Sequence, residues 1–424
     1  MVKKGYKQTE LGVIPEKWTV STIGAIADVK TGPFGSALHA NDYVQDGTPI
    51  ITVEHLGETG LTRQNLPKVS AEDRRRLSAY SMQEGDIVFS RVGSVDRNAY
   101  VTAAENGWLF SGRILRLRAK SEELSARYLG YYFKAEETKE RVRGVAVGQT
   151  MASLNTKLMN AFKVVLPTVE EQKNIAALLS NMDTLISALE KQISKKKAIK
   201  QGAMLELLTG KRRLPGFSGE WETKKLEDYC SLITKQTGFD YSAYIKPALI
   251  TRKMPNTFPM IQTINFRGRK FTFETDYYIP QSVAMQFPNI VLNKKCVLFS
   301  IVGASVGNVG LYPGSITAFC GGAIGITRFR NEQDAEWVFN YMSSPDGQSQ
   351  IQYVTKGGAQ ATVTIADIRN FKIPTPEKGE RDAISGILEN MDHEIEALEK
   401  KLKKYRQIKQ GMMQQLLTGK IRLV

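Results

Sequence analysis

The sequence contains little of what an enzyme or a metalloprotein needs. Its 424 residues include only three cysteines and three histidines, and neither set has the close spacing of metal ligands. No Pro-Pro pair occurs, so the Asn-Pro-Pro-aromatic and Asp-Pro-Pro-aromatic motifs of methyltransferases are missing. No Gly-Lys-Ser or Gly-Lys-Thr completes a nucleotide-binding loop, and the lone Pro345-Asp346 is not followed by the Glu-x-Lys of a nuclease. We therefore expect no catalytic residue, no metal site and no bound cofactor in this chain.

The sequence also lacks a segment typical of secretion or of membrane insertion. No apolar stretch follows the lysines of MVKKGYKQTE. One uncharged stretch, Cys296 to Thr327, exceeds the length of a membrane span, but its many glycines and Pro313 favour short strands and turns. The matching stretch in the first half, Ile87 to Gly93, continues into Asp96 and Arg97. We expect a cytoplasmic protein whose cysteines are buried and reduced.

The composition indicates a folded protein with an anionic partner. The chain carries 58 lysines and arginines against 43 acidic residues, a formal charge of +15, which favours nucleic acid first. The excess is spread along the chain, so a binding surface has to form by folding and not from a basic tail. A hydrophobic content of 42% and a length of 424 residues suit two domains with cores of their own.

The chain contains an internal duplication. KQGAMLELLTGKRRL ends at residue 214, and KQGMMQQLLTGKIRL ends at residue 423. When residue n is placed over residue n+209, roughly 21 of 35 positions between 180 and 214 are identical. A weaker match continues upstream, with Phe162-Lys163 over Phe371-Lys372. Each half therefore consists of a variable domain followed by a similar tail.

Both tails have the apolar spacing of long helices. Apolar residues step by three and four on one face and the opposite faces are charged. Pro167 and Pro376 stand just before the helices, and the glycine of each LLTG is placed to end them. A helix of about 40 residues would run roughly 60 Å, far beyond an ordinary core helix. Its apolar stripe needs a partner, most simply the other copy, paired antiparallel within one chain or between two chains.

The positions that we predict to pair the helices or to dock partner proteins are Ile175, Met182, Leu189, Ile384, Met391 and Leu398.

A duplicated chain of this kind suits duplex DNA, whose local twofold symmetry is read by dimeric proteins. The alternation of variable domains and related helices, the segment Pro167-Thr-Val-Glu-Glu-Gln172 and the twice-used LLTGK resemble the specificity (S) subunit of type I restriction-modification enzymes. The resemblance covers essentially the whole chain. In the second copy Gly379-Glu380-Arg381 replaces the Glu-Glu-Gln of the first, which weakens any role of Gln172.

The resemblance implies an α/β (α+β) fold. Two target-recognition domains of mixed α/β structure, related by a pseudo-twofold axis, would be separated by a long antiparallel two-helix coiled coil. The predicted boundaries are residues 1–168 for the first domain, 169–214 for the first spacer helix, 215–376 for the second domain and 377–424 for the second spacer helix.

The resemblance also implies a non-catalytic, sequence-specific DNA-binding subunit with a bipartite, asymmetric target. Two methyltransferase (M) subunits and the restriction (R) subunits would dock on it. S-adenosylmethionine, ATP and Mg²⁺ are expected on those partner subunits only.

Candidate DNA contacts follow from the chemistry of base and phosphate recognition. Readout needs arginine, asparagine or glutamine at base edges and further basic groups at phosphates. Two glycine-containing loops just before the helices are favoured, because glycine lets the backbone approach a phosphate. The residues that we predict are Arg74, Arg75, Arg76, Arg91, Arg97, Asn98, Gln149, Thr150, Arg267, Arg269, Lys356 and Gln360.

A second hypothesis is a non-catalytic protein–protein scaffold that uses the helix pair and whose variable domains bind other proteins. Its binding would not weaken as salt rises, whereas phosphate contacts make affinity fall steeply with salt. A self-contained methyltransferase or nuclease is disfavoured by the missing motifs.

Overall fold

The computed structural model of the chain describes residues 3–33, 38, 42–58, 60–147, 152–355 and 361–423. The chain divides into two compact units. Unit 1 consists of Met1–Glu190 and Lys401–Val424, and unit 2 consists of Lys191–Lys400. Each unit therefore contains one variable domain and parts of both long helices. The four predicted segments divide the chain differently, because they assign each helix as a whole.

The strands of unit 1 are β1 (Tyr6–Thr9), β2 (Gly12–Pro15), β3 (Thr19–Thr22), β4 (Ala27–Thr31), β5 (Tyr43–Val44), β6 (Thr48–Ile51), β7 (Lys68–Val69), β8 (Ile87–Ser90), β9 (Asn98–Tyr100), β10 (Leu109–Phe110), β11 (Ile114–Ala119) and β12 (Lys163–Leu166). Its helices are α1 (Ile23–Ile26), α2 (Ala71–Arg76), α3 (Ala126–Lys134), α4 (Glu136–Val145), α5 (Thr156–Ala161) and the first part of α6 (Val169–Leu207).

Two sheets organise the first domain. The first is antiparallel in the order β4-β11-β8-β9, with Leu115 opposite Phe89. The second has the order β10-β6-β7-β5, and its β10 and β6 run parallel. All four residues of β8 are buried, as expected for an Ile-Val-Phe-Ser strand with neighbours on both sides. Ser125 caps the start of helix α3, because its hydroxyl accepts a hydrogen bond from the Tyr128 amide, and the helix packs its aromatic face on this core.

The strands of unit 2 are β13 (Glu222–Lys225), β14 (Cys230–Lys235), β15 (Thr257–Ile261), β16 (Phe266–Arg267), β17 (Lys270–Phe271), β18 (Tyr278–Pro280), β19 (Val291–Leu292), β20 (Cys296–Ser300), β21 (Val309–Tyr312), β22 (Ala318–Cys320), β23 (Ile324–Phe329) and β24 (Lys372–Thr375). Its helices are α7 (Leu226–Tyr229), α8 (Gly238–Asp240), α9 (Lys246–Ala248), α10 (Gln281–Ala284), α11 (Asp334–Met342), α12 (Pro345–Thr355), α13 (Ile365–Asn370) and the first part of α14 (Lys378–Leu416).

The second domain repeats the antiparallel sheet of the first and the parallel strand pair of its other sheet. Its antiparallel sheet has the order β14-β23-β20-β21, and the other sheet, β18-β15-β22-β19, again contains a parallel pair, β15 with β22. The uncharged stretch from Cys296 to Thr327 forms strands, as predicted. In the part of the chain that the structure describes, no helix combines the length and the apolar character of a membrane span. Cys230, Cys296 and Cys320 are buried free thiols, and burial raises the pKa of Cys230 and of Cys296 to about 12.

The long helices have the predicted lengths, 39 residues each. In unit 1 the first part of α6 packs against the last part of α14, where Ile175 and Leu179 share a core with Leu416 and Leu417. In unit 2 the last part of α6 packs against the first part of α14, where Leu208 shares a core with Ile384 and Leu388. Each packing is antiparallel and forms the predicted coiled coil.

Candidate functional site: repeated helix contacts and predicted DNA contacts

In unit 1 a buried carboxylate accepts hydrogen bonds from an arginine near the end of the chain and from a tryptophan of the first domain. Glu171, in the first turn of α6, is 1% exposed and accepts two hydrogen bonds from Arg422, at 2.6 and 2.8 Å. The Trp18 indole donates a third, at 2.8 Å. Burial raises the pKa of Glu171, but the hydrogen bonds from Arg422 and Trp18 lower it further, so the pKa lies below its ordinary value. The charged pair joins the end of the chain to the first domain.

The same cluster recurs in unit 2 with equivalent residues. Glu380, 209 positions after Glu171, is fully buried and accepts two hydrogen bonds from Arg213, both at 2.7 Å. The Trp221 indole donates a third, at 3.0 Å. Arg213 and Arg422 occupy equivalent places after the two LLTGK motifs. In unit 1 the buried glutamate is therefore bound by an arginine that follows α14. In unit 2 the equivalent glutamate is bound by the equivalent arginine, which follows α6.

The glycine of each LLTGK motif fits beside these tryptophans. Gly210 and Gly419 have φ angles of 71° and 70°, in the left-handed region that glycine adopts without strain. A Cβ atom on Gly419 would lie 2.5 Å from Pro15 and 3.1 Å from Trp18. The motif ends the helix and brings the following arginine back to the buried glutamate.

A second ion pair also recurs. In unit 1 the Asp183 carboxylate accepts hydrogen bonds from Lys409, at 2.5 Å, and from the Tyr131 hydroxyl, at 2.7 Å. In unit 2 the equivalent Asp392 accepts from the equivalent Lys200, also at 2.5 Å. Asp183 and its repeat thus fix the register of the antiparallel helices in both units.

The six predicted pairing residues all lie away from the exposed helix faces. Ile175, Leu189 and Ile384 are buried, and Met182, Met391 and Leu398 are half-buried.

The predicted DNA-contact residues of the first domain have different surroundings. Arg74 and Arg75 are exposed on α2, and Arg76 pairs with Asp73 at 2.8 Å. Arg97 is exposed, but its guanidinium donates to the carbonyl oxygen of Leu56.

Two further residues of the RVGSVDRN segment are held inside the domain. The guanidinium of Arg91 donates to the carbonyl oxygen of Leu154 at 3.3 Å. Asn98 is 6% exposed, and its amide nitrogen donates to the carbonyl oxygens of Asp96 and Phe133. The amide nitrogen of Asn98 is therefore used inside the first domain.

Of the second-domain arginines, Arg267 is exposed, with no ion pair to any residue that the structure describes. The side chain of Arg269 is instead held inside unit 2. It pairs with Glu336 at 2.7 Å and with Asp392 at 2.9 Å, and it lies over the ring of Phe339. Glu336 and Phe339 belong to α11 and Asp392 belongs to α14, so the charge of Arg269 is paired within unit 2.

The two loops favoured by the sequence lie outside the described residues. They contain the remaining four predictions, Gln149, Thr150, Lys356 and Gln360. Among the residues that are described, no group of three or more His, Cys, Asp or Glu side chains is arranged to hold a metal ion.

Sequence reasoning missed the roles of the buried clusters. None of the four charged residues is among the contacts predicted from the sequence: Glu171, Glu380, Arg213 and Arg422. The signal was present, because both charges and both tryptophans recur in the two halves. Gln172 and Arg381, where the copies differ, have local roles: Gln172 bonds the Ser125 amide and Arg381 pairs with Asp334.

The fold and these contacts define a class of protein: a chain of two related units, each with a mixed α/β domain and segments of two antiparallel long helices. The model of the type I restriction modification DNA specificity domain matches residues 15–200 and again 218–409. The chain therefore belongs to the family of type I restriction-modification specificity subunits, which supply DNA sequence specificity.

Relatives agree with this assignment, and a solved structure has a similar fold. The chain is 28% identical over 438 residues to the putative type I restriction enzyme MjaX specificity subunit of Methanocaldococcus jannaschii, covering 99% of this chain and 97% of that protein. It is 25% identical to the MjaVIII specificity subunit of the same organism, covering 97% and 94%. The S subunit of the type I system of M. genitalium has a similar fold, with a TM-score of 0.60 and 15% identity over 94% of this chain and 96% of that one.

Proposed function

We propose that the chain recognises a bipartite, asymmetric DNA sequence and carries no catalytic activity. The single observation that supports this best is that the contacts of the long helices repeat in both units while the two domains differ in sequence. The Glu171–Arg422 and Asp183–Lys409 contacts recur between equivalent residues as Glu380–Arg213 and Asp392–Lys200, whereas the domains that they hold differ in sequence. Two different domains on one repeated frame suit two different half-sites.

In this proposal two methyltransferase (M) subunits and the restriction (R) subunits assemble on the chain. The specificity subunit chooses the site, and its partners supply the chemistry. S-adenosylmethionine, ATP and Mg²⁺ belong to those partners. The family assignment supports this division of labour, and the missing methyltransferase and P-loop motifs are consistent with it.

The proposed DNA contacts are a reduced set of the predicted residues. Arg74, Arg75 and Arg267 have exposed guanidinium groups, which is what contact with phosphate or base edges requires. Gln149, Thr150, Lys356 and Gln360 stay in the proposal on their sequence positions alone. Arg76, Arg91 and Arg97 stay as candidates that would have to exchange an internal partner for DNA. We leave Asn98 and Arg269 out, because both side chains are committed to contacts inside their units.

The test is to co-express the chain with the methyltransferase encoded beside it and to map methylated adenines across the host genome. A split, asymmetric methylated motif that disappears without this chain is the expected result. A stable complex with unchanged methylation would instead indicate the scaffold function. Replacing Arg74 and Arg75 by Gln should weaken binding and flatten its salt dependence, whereas Arg212→Gln, at an exposed arginine outside both domains, should not.

A further inference from the structure

A short helical segment of unit 2 carries two exposed aromatic side chains. Residues 238–248 lie between β14 and β15 and consist of α8, a π-helical turn at Tyr241–Ile245, and α9. Thr237 caps the start of the segment, because its hydroxyl accepts a hydrogen bond from the Asp240 amide at 3.1 Å. Ile245 is fully buried and attaches the segment to the core of the second domain. We call residues 238–248 the aromatic segment.

The aromatic segment exposes two rings that the second domain does not bury. Phe239 is 73% exposed and Tyr244 is 52% exposed. Their ring centroids lie 6.2 Å apart in an edge-to-face arrangement, and the ring of Tyr244 lies 6.1 Å from that of Phe287, which packs on the core. The two rings therefore form one apolar patch that is held in place from below and open to solvent above. A π-helical turn such as the one that carries Tyr244 is frequently found at functional sites.

The aromatic segment and the residues on either side of it are basic. Four exposed side chains form no ion pair with any residue that the structure describes: Lys235, Lys246, Arg252 and Lys253. Between positions 235 and 256 the sequence has a single carboxylate, Asp240, which accepts a hydrogen bond from the Thr237 hydroxyl at 2.6 Å. Cations that the chain leaves unpaired favour an anionic partner.

Unpaired cations beside exposed rings fit duplex DNA. Lysine and arginine bind phosphates, whatever the base sequence. A ring has no group that binds a phosphate, but it packs on the methyl group of thymine or enters between neighbouring base pairs. An acidic protein surface would also attract the four cations, so the position of the segment in the fold has to decide between the two partners.

That position favours DNA. Strands β14 and β20 end side by side, because both end opposite the start of β23. The aromatic segment follows β14. Just beyond β20, Val302 forms a bridge with Thr362, which comes two residues after the predicted DNA contact Gln360. The aromatic segment and the chain next to that predicted contact therefore lie at the same end of the antiparallel sheet.

We propose that Phe239 and Tyr244 contact the bases of the half-site that the second domain recognises, while Lys246, Arg252 and Lys253 bind the neighbouring phosphates. The rings distinguish bases by their methyl groups and their stacking, which basic side chains at phosphates do not read. This inference rests on the proposed function, because that function supplies the DNA target.

The experiment measures how the complex with the methyltransferase binds its target duplex, as supplied by the methylation map, and a set of duplexes that each change one base pair. Phe239→Ala and Tyr244→Ala should each weaken binding of the target about tenfold, which is typical for the loss of one contact between a base and a ring. Each should also relax selection at one or two neighbouring base pairs of one half-site. Phe239→Tyr keeps the ring and should retain most of the affinity.

The dependence of affinity on salt separates the rings from the cations. Phe239→Ala should leave the salt dependence unchanged, because a ring displaces no counterion, whereas Arg252→Gln combined with Lys253→Gln should flatten it. Ile316→Ala is the control. It changes an exposed isoleucine of unit 2 that follows β21 at the other end of the antiparallel sheet, and it should alter neither affinity nor base selection.

Other outcomes overturn the inference in distinguishable ways. Unchanged base selection in both alanine variants would show that the rings do not contact bases. A loss at every duplex alike, with a flatter salt dependence, would assign the segment to phosphates alone. Unchanged DNA affinity with weaker binding of the methyltransferase would make the segment a protein contact. These three results leave the proposed function intact, whereas a wild-type complex that prefers no DNA sequence would contradict both proposals. Circular dichroism checks that each variant is folded.

Discussion

The two buried glutamates show how single residues hold each unit together. A carboxylate taken out of water is costly unless it is paired and fully hydrogen-bonded. Glu171 and Glu380 meet this requirement with a bidentate arginine and a tryptophan each. The planar guanidinium matches both carboxylate oxygens, which a lysine cannot do. The cluster therefore depends on arginine and not merely on positive charge.

Arg422→Met should destabilise unit 1 strongly, by about 3 kcal/mol, because it leaves the Glu171 carboxylate buried without its main partner. Arg422→Lys should have a smaller effect, since the charge remains and the bidentate geometry is lost. Scanning calorimetry measures the change, and hydrogen exchange in residues 416–423 locates it. Lys420→Met, at an exposed neighbour, is the control. Equal midpoints for Arg422→Met and the control would contradict the assigned role.

Lys134 is one residue whose charge should make the stability of the protein depend on pH. Burial, with a smaller contribution from Lys409, lowers its pKa from 10.5 to about 8. It lines a cavity of about 1320 Å³ in unit 1 and makes no ion pair with a described residue. Because the folded pKa lies below the unfolded pKa, the charged form opposes folding below pH 8, and this penalty disappears as pH rises from about 8 to 10.5.

Lys134→Met should therefore stabilise the protein at pH 7, by roughly 1 to 3 kcal/mol, and much less at pH 10. The difference between variant and wild type isolates this lysine from the tyrosines and cysteines that also titrate at high pH. Urea unfolding at both pH values measures it, with Lys191→Met, on an exposed helix face, as the control. A stabilisation that is the same at both pH values would show that packing, and not charge, is responsible.

Residue-level site predictions depended on exposure, which a sequence does not record. Arg267 and Arg269 have the same chemistry and lie two positions apart, yet one faces solvent and the other is held by Glu336 and Asp392. The distinction comes from the tight turn between β16 and β17, which has Gly268 at a φ of 61°. In the sequence Asn98 has the chemistry of a base-reading asparagine, and only the fold places the carbonyl oxygen of Phe133 beside its amide.

At the scale of elements, the long helices were predictable and the domain topology was not. Apolar residues at steps of three and four, with a proline before and LLTG after, specify α6 and α14 over most of their length. The parallel pairing of β10 with β6 joins segments more than 50 residues apart, and two-residue strands leave no alternation to detect. Long-range pairing of short strands is decided by the whole core.

The two units also place positive charge beside the long helices by different elements. In unit 1, Arg127 of α3 bonds Ser180 of α6. In unit 2 the equivalent position is Glu336, and Arg269 from the β16–β17 hairpin supplies the guanidinium. The hairpin is thereby attached to α11 and α14. The two domains thus bring a guanidinium to the long helices from different elements.

Breaking this attachment should release the hairpin. Arg269→Gln leaves the half-buried Glu336 and Asp392 with only Lys295 and Lys200, and should cost about 2 to 3 kcal/mol. Adding Glu336→Gln should recover part of that loss, because the unpaired carboxylate is removed. Hydrogen exchange of residues 262–275 measures the release. Lys270→Gln, at the exposed neighbour that pairs with Glu399, should cost less than about 1 kcal/mol. Additive effects of the two Gln substitutions would argue against the pairing.

At the scale of the whole molecule, the duplication explains why one chain carries its closing motif twice. Each unit needs a glutamate at the start of one helix and an arginine beyond the end of the other. One LLTGK motif supplies Arg213 to unit 2, and the other supplies Arg422 to unit 1. The two motifs are interchangeable in sequence, and so are the lysines that pair with Asp183 and Asp392. Half of the chain therefore contains every group that one unit uses for these contacts.

A fragment of residues 1–214 should consequently form a symmetric dimer that favours a palindromic site. In it, Arg213 of one copy would bond Glu171 of the other, and Lys200 would bond Asp183, as Arg422 and Lys409 do in the full chain. Sedimentation equilibrium measures the dimer, and selection from random DNA measures the site. Arg213→Glu should abolish dimerisation, because it sets two carboxylates against each other, and adding Glu171→Arg should restore it. A strictly monomeric fragment, or failure of the charge exchange to restore the dimer, would show that the repeated contacts are not sufficient for assembly.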